Sequence, residues 1–215
     1  MVFEDGLIYF AAVAVAYLVG AFPTAYVITR LAAGKDIRVL GSGNMGANNT
    51  WREVGPAAGI SVGLLDVGKG IAAVFLAHWL LDVPLFQPNP VVLLAGVAAV
   101  AGHIWPVYLR FAGGNGLLTS VGALIMELPW EMLIVLGVLL MLIAATRTFV
   151  LSMNLSLFSV PVSAWLLEGE LLYVGFWGAL AVMMACHFRP TAREAEMGAG
   201  GKANLLAGLL RRTRR

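Results

Sequence analysis

The residues of this chain that could do chemistry gather in a few short stretches. The first is Gly41-Ser42-Gly43-Asn44-Met45-Gly46-Ala47-Asn48-Asn49, followed by Arg52. Glycines permit positive φ and let backbone N–H groups turn toward an anion. Ser42 and the asparagines add neutral donors, and Arg52 can grip a phosphate with two parallel hydrogen bonds. Such a composition suits a phosphate or oxyanion cradle; the plain alternative is a flexible polar loop. A dinucleotide-binding reading of the glycines fails because no βαβ unit surrounds them.

The second stretch, Gly113-Gly114-Asn115-Gly116 with Thr119 just beyond, places a glycine turn at the start of a short helix. Free N–H groups and the positive end of the helix dipole make that a second anion site. Shortly before it stand Gly102-His103 and Pro106. His103 could donate to an anion, act as a general base or serve a structural purpose. Asp66 and Lys69 lie inside an apolar stretch at i, i+3, on one helix face, where they pair with each other, bind something, or both. Arg147 and His187, at helix ends, could join the same polar cluster, although snorkelling also accounts for Arg147.

Other chemistries are poorly served. His78, His103 and His187 lack the spacing of metal ligands, so neither a metal nor a cofactor is expected. There is no Gly-x-Ser-x-Gly nucleophile elbow. The single cysteine, Cys186, excludes an intrachain disulfide and is not placed as a nucleophile. The site must therefore work by positioning and charge stabilisation.

The elements that position these residues are membrane helices. Of 215 residues 60% are hydrophobic and 12% charged, with a mean hydropathy of +0.86. A soluble domain cannot hide that much apolar surface. Apolar stretches close to the roughly 20 residues that cross a bilayer recur at about 6–30, 57–82, 90–108, 117–128, 130–146, 149–167 and 170–187. Only helices satisfy the backbone there, since the alternation of a membrane barrel is absent. The first stretch, preceded by Glu4 and Asp5, is expected to be a retained span and not a cleaved signal. The expected fold is all-α and polytopic, one membrane domain over 1–215 with a basic tail from about 188.

Charge sets the expected orientation. With the N-terminus outside, the cytoplasmic side receives Arg30, Lys35, Arg38, Arg52, Arg110, Arg147 and the tail, while Asp82, Glu127, Glu131, Glu168 and Glu170 face out without any lysine or arginine. Seven spans and a cytoplasmic C-terminus follow. Trp79, Trp105, Trp130, Trp165 and Trp177 fall close to expected helix ends, as interfacial tryptophans do. The tail arginines suit anionic lipid headgroups better than nucleic acid. Nothing in the sequence sets an oligomeric state.

Taken in order, Gly41 to Arg52, Asp66-x-x-Lys69-Gly70, Gly102-His103-x-x-Pro106 and Gly113-Gly114-x-Gly116-x-x-Thr119 resemble the PlsY family of bacterial membrane glycerol-3-phosphate acyltransferases, over about residues 17–122. The resemblance implies a seven-helix plasma-membrane enzyme with a cytoplasmic active site. It would transfer an acyl chain from acyl-phosphate to the 1-hydroxyl of glycerol 3-phosphate, giving lysophosphatidic acid and phosphate. It further implies that Ser42, Gly43, Asn44, Asn48, Asn49 and Arg52 line the first cradle, with Arg52 on glycerol 3-phosphate. Lys69 and His103 would support the polar centre. Gly113, Gly114, Asn115, Gly116 and Thr119 would hold the acyl-phosphate and stabilise the developing oxyanion, with His187 and Arg193 adding substrate contacts.

The chain also departs from that pattern. Asn115 stands where the family has lysine, Asn48 where it has threonine, Ala21 where it has the serine of Gly-Ser-x-Pro, and Pro190 where it has asparagine. A paralogue that binds a phosphorylated ligand or lipid without turnover is one alternative. A small anion transporter is another, disfavoured because no inverted repeat is visible.

Overall fold

The computed structural model describes residues 2–147 and 149–198, with side chains over 6–147 and 151–187. It is helical wherever the sequence is apolar. Helices α1 (Val2–Gly20) and α2 (Thr24–Ala33) form one 28-residue apolar span from Gly6. A short α3 (Ala47–Glu53) leads into α4 (Pro56–Leu81), and α5 (Pro90–Ile104) is followed by α6 (Leu117–Glu127) and α7 (Pro129–Thr146). The chain ends in α8 (Phe149–Ser156), α9 (Val160–Leu167) and α10 (Leu171–Gly198). No strand occurs among the described residues.

Among the described residues four stretches are long and apolar enough to cross a membrane: Gly6–Ala33, Pro56–Leu81, Pro90–Leu109 and Pro129–Thr146. Leu117–Glu127, Leu151–Leu167 and Leu171–His187 are shorter apolar helices. Each of the seven expected stretches is thus helical. Two are interrupted where the sequence suggests continuity. Pro23 lacks an N–H and ends α1, so the chain restarts at Thr24. A 3-10 turn at Leu157–Ser159 separates α8 from α9, ahead of Pro161.

Close backbone approach holds the centre together. A Cβ on Gly20 would strike the Ala99 carbonyl, and one on Gly102 would meet the Ala21 nitrogen at 2.7 Å, which locks α1 onto α5. Gly70 and Gly122 press against the Thr119 and Val67 carbonyls and lock α4 onto α6. Lipid tails are as apolar as leucine, so packing of this kind, and not exclusion from water, drives helix association in a bilayer. Ala16, Val74, Ala99, Leu124, Tyr173 and Phe176 fill the remaining core. Helix α7 sits at the edge of this core, to which it gives Val135: 11% of its apolar window is buried, against 56% for α5.

Candidate functional site

Three helices begin or end at one depth, beside the middle of a fourth. Asp66 lies ten residues beyond the start of α4, about 15 Å along its axis. At that level α2 begins at Thr24, α5 ends just past His103, and α6 begins at Leu117. Helix ends leave N–H and C=O groups without intrahelical partners, and at membrane depth such backbone is tolerated only where it is buried in protein or lines a cavity. The polar residues collect there.

Asp66 is the hub. Thr24 Oγ1 donates to Asp66 Oδ1 at 2.6 Å. Lys69 Nζ pairs with the same oxygen at 2.9 Å and also donates to the Phe22 carbonyl at 3.2 Å. His103 Nδ1 lies 3.5 Å from it, without an aligned hydrogen bond. All four residues are at least nine-tenths buried, so the expected Asp66 and Lys69 pairing is present and extends to two further helices. A small cavity of about 10 Å³, room for one water, lies among Phe22, Thr24, Met45, Lys69, His103 and Pro106.

The second glycine stretch covers His103. Gly114 N–H donates to the His103 carbonyl at 3.1 Å, and a Cβ on Gly114 would collide with His103 Nε2. The same Cβ would meet the Met45 carbonyl at 2.8 Å, which brings the first loop onto the second. Gly116, at φ +82°, turns the chain into α6. The first backbone hydrogen bond of that helix runs from Ser120 N–H to the Gly116 carbonyl at 2.8 Å. The N–H groups of Leu117 to Thr119 therefore have no intrahelical partner, the state in which a helix N-terminus can receive an anion.

The first loop is built differently from its expected form. Its backbone donors are turned inward: Ser42 N–H to Asn49 Oδ1 at 3.1 Å, Gly43 N–H to the Leu40 carbonyl at 2.9 Å, and Asn44 N–H to Ser42 Oγ at 3.4 Å. Asn49 Nδ2 ties the carbonyls of Leu40 and Asn44, at 3.0 Å each. Asn49 is thus the buried tie of the loop, its amide spent on shape. Gly43, at φ +71°, makes that turn possible. What the loop leaves exposed is side chains. Asn48 and Arg52, at i, i+4, share the exposed face of α3, and Ser42 is exposed beside them. Below, Ile37, Met45, Ala25 and Val62 anchor the loop. Asp36, at its entry, is bound by Arg38 at 2.7 Å, and that guanidinium holds its carboxyl below the usual carboxylate range.

Among the described residues, four buried polar atoms around this junction have no hydrogen-bond partner: Asn44 Oδ1, His103 Nδ1, Asn115 Oδ1 and Thr119 Oγ1. Buried groups are normally satisfied, so unmet capacity clustered on both glycine loops suits a site that completes its bonds on a ligand. His187 approaches from α10, its ring edge-on to Trp105 with centroids 6.2 Å apart, and Tyr17 Oη donates to the Trp105 carbonyl at 2.7 Å. The side chains of Pro190 and Arg193 lie outside the described residues. Sequence reasoning passed over Thr24 as a site residue. Its signal was Pro23 interrupting an apolar run, which marks a break with freed backbone and a first polar residue behind it.

Known proteins resemble this chain in sequence and in fold. The family model for glycerol-3-phosphate acyltransferase matches residues 10–195. A glycerol-3-phosphate acyltransferase 1 of Dehalococcoides mccartyi is 43% identical over 156 residues, 70% of this chain and 73% of that protein. One from Staphylococcus saprophyticus is 35% identical over 177 residues, 80% of this chain and 86% of the relative. The crystal structure of PlsY, an integral membrane glycerol 3-phosphate acyltransferase, in its glycerol 3-phosphate form, superposes with a TM-score of 0.76 at 26% identity, covering 88% of this chain and 92% of that one. With the family pattern running through both glycine loops and the helices that carry them, the chain belongs to the glycerol-3-phosphate acyltransferase family.

Proposed function

We propose that this protein transfers an acyl chain from acyl-phosphate to the 1-hydroxyl of glycerol 3-phosphate, releasing lysophosphatidic acid and phosphate at the first acylation of phospholipid synthesis. The observation that carries the reading is the meeting of Met45 and Gly114, which joins two anion-binding loops above one buried charged centre. Both substrates bear a phosphate, so the reaction needs two anion sites in contact. Arg52 with Ser42, Asn44 and Asn48 takes glycerol 3-phosphate. Gly113 to Gly116, the start of α6 and Thr119 take the acyl-phosphate and stabilise charge developing on the carbonyl oxygen. Lys69 is the buried lysine of the centre, and the family resemblance adds His187 and Arg193 as substrate contacts. An acyl-phosphate is already activated, so no covalent intermediate is required.

The distribution of Lys and Arg supports seven spans, a cytoplasmic site and a bacterial plasma-membrane location. The test is lysophosphatidic acid formation by the purified, detergent-solubilised protein from acyl-phosphate and glycerol 3-phosphate. Wild-type turnover that Arg52→Ala abolishes is the expected result. Asn115 favours a second reading, a homologue that binds phosphorylated ligands without turnover, because it removes a cation from the anion turn. A silent wild type that gains activity as Asn115→Lys would establish that reading.

A further inference from the structure

We propose that Arg30, Lys35 and Arg38 form a binding site for the phosphate of an anionic phospholipid headgroup, at the end of α2 and outside the first glycine loop. The local fold gathers the cations. Arg30 stands in the last turn of α2, and Gly34, at φ +66°, closes that helix and turns the chain. The guanidinium carbons of Arg30 and Arg38 then lie 5.8 and 5.3 Å from the centroid of one ring, that of Tyr26. The face of an aromatic ring attracts cations, so Tyr26 holds two like charges in one place.

The charges are not balanced within the cluster. Asp36 is the carboxylate between them in sequence, and Arg38 takes it, with Nε 3.0 Å from one oxygen and Nη2 2.7 Å from the other. Arg30 donates from Nη1 to the Gly34 carbonyl at 3.0 Å and from Nε to the Tyr26 hydroxyl at 3.5 Å. Its remaining N–H groups are open. Lys35 is exposed, and among the described residues it has no hydrogen bond or ion pair. Three cations against one carboxylate leave two positive charges for an anion. A Cβ on Gly34 would meet no atom within 4 Å, so the space beside it is free.

The surroundings identify the ligand as a lipid. Ala33 is the last residue of the first apolar span, which sets the cluster at the level of the headgroups. Leu31 and Val39 flank it, each 80% exposed. An exposed leucine and valine beside cations suit a bilayer surface, where the apolar groups enter the acyl boundary while the charges meet phosphates. A site for a soluble anion has no use for them.

Backbone contacts join this site to the first loop. A Cβ on Gly43 would meet the Arg38 carbonyl at 3.0 Å, and the Leu40 carbonyl receives both Gly43 N–H and Asn49 Nδ2. A headgroup that holds Arg38 therefore steadies the segment on which the loop closes. Resting on the acyl-transfer reading above, occupation of the site lowers KM for glycerol 3-phosphate.

Native mass spectrometry of the full-length protein in detergent, titrated with phosphatidylglycerol or phosphatidylcholine, measures the binding without turnover. The wild type should bind phosphatidylglycerol at least about tenfold more tightly than phosphatidylcholine. The Arg30→Gln, Lys35→Gln double variant should lose most of that preference, as each basic residue near an anionic surface contributes about fivefold. Arg38 is kept because it holds Asp36. Arg147→Gln removes an exposed cation from the end of α7 and should change nothing. Equal losses from Arg147→Gln and Lys35→Gln would mean diffuse surface attraction and overturn the site. So would displacement of phosphatidylglycerol by inorganic phosphate beyond that caused by sodium chloride of equal ionic strength, the mark of a soluble-anion site.

Kinetics in nanodiscs test the link to the loop. The ratio of KM for glycerol 3-phosphate in phosphatidylglycerol to that in phosphatidylcholine should be several-fold lower for the wild type than for the double variant. Comparing ratios cancels the repulsion that any anionic bilayer exerts on the substrate. Equal ratios would overturn the link, and KM raised by the variant in both lipids alike would make the cluster a steering patch for glycerol 3-phosphate instead. A wild type that forms no lysophosphatidic acid removes the acyl-transfer reading and the KM effect with it, while the binding result stands on its own.

Discussion

Among the described residues the protein buries two groups of ionisable residues, one at the middle of α4 and one at its C-terminal end, and they are built differently. At the glycine-loop end Asp66, Lys69 and His103 lie where helices break, beneath two loops with unpartnered polar atoms. At the far end His78 Nε2 meets Glu127 Oε1 at 2.8 Å and His78 Nδ1 meets the Val83 carbonyl at 3.1 Å, so both ring nitrogens are engaged. Glu127 Oε2 and both Glu131 oxygens lack partners there too. Glu131, however, occupies the third residue of α7, where the helix dipole favours a carboxylate. Among the described residues, no glycine turn and no lysine or arginine accompanies that pair. Burial of charge alone does not mark a site in a membrane protein; burial of charge where backbone is freed does.

The comparison predicts activity effects at one end and stability effects at the other. The largest expected effect is at Lys69. Lys69→Met leaves Asp66 buried without its cation, which costs about 3–5 kcal/mol. Thermal unfolding in detergent should fall sharply and turnover should vanish. Next is Gly114→Ala. Its methyl group would displace the His103 ring from below and Met45 from beside it, an overpacking of about 1–3 kcal/mol. The assay should show turnover lost while the protein remains folded.

At the far end, Glu127→Gln weakens a buried charge-assisted hydrogen bond worth about 1.5–3 kcal/mol. The melting temperature should drop while kcat stays within about twofold of wild type. A loss of kcat comparable to that of Gly114→Ala would erase the distinction between the two ends. Asn115→Lys should lower KM for acyl-phosphate by about tenfold, equivalent to about 1.4 kcal/mol, since it returns a cation to the anion turn.

The smallest effect belongs to the rim. The Asp36 carboxyl is held low by Arg38, so its contribution is present above the ordinary carboxylate range and lost as pH falls through the depressed value. Between pH 6 and 8, Arg38→Ala should therefore change stability by no more than about 1 kcal/mol, with no dependence on pH in that window.

Much of this was legible in the sequence. The apolar runs at about 57–82, 90–108 and 130–146 mark helices that the structure begins at Pro56, Pro90 and Pro129. The glycine stretches and the Asp66 and Lys69 spacing point to the residues that meet. What the sequence could not show is which donors of the first loop are free. Asn49 looks like any other asparagine in a polar run, and only its bonds to Leu40 and Asn44 assign it to the loop itself. Thr24 escaped for a related reason. A threonine in an apolar stretch usually bonds its own helix, and only the break at Pro23 turns it toward Asp66.

The central claim is that two loops form one site serving both phosphates, and its most direct test is to measure phosphate release and lysophosphatidic acid formation in a single reaction. The account predicts that the wild type forms one lysophosphatidic acid for each phosphate released, and that Arg52→Ala and Gly114→Ala, one from each loop, lose both products together. Phosphate released without lysophosphatidic acid, or either variant turning over like the wild type, would contradict it.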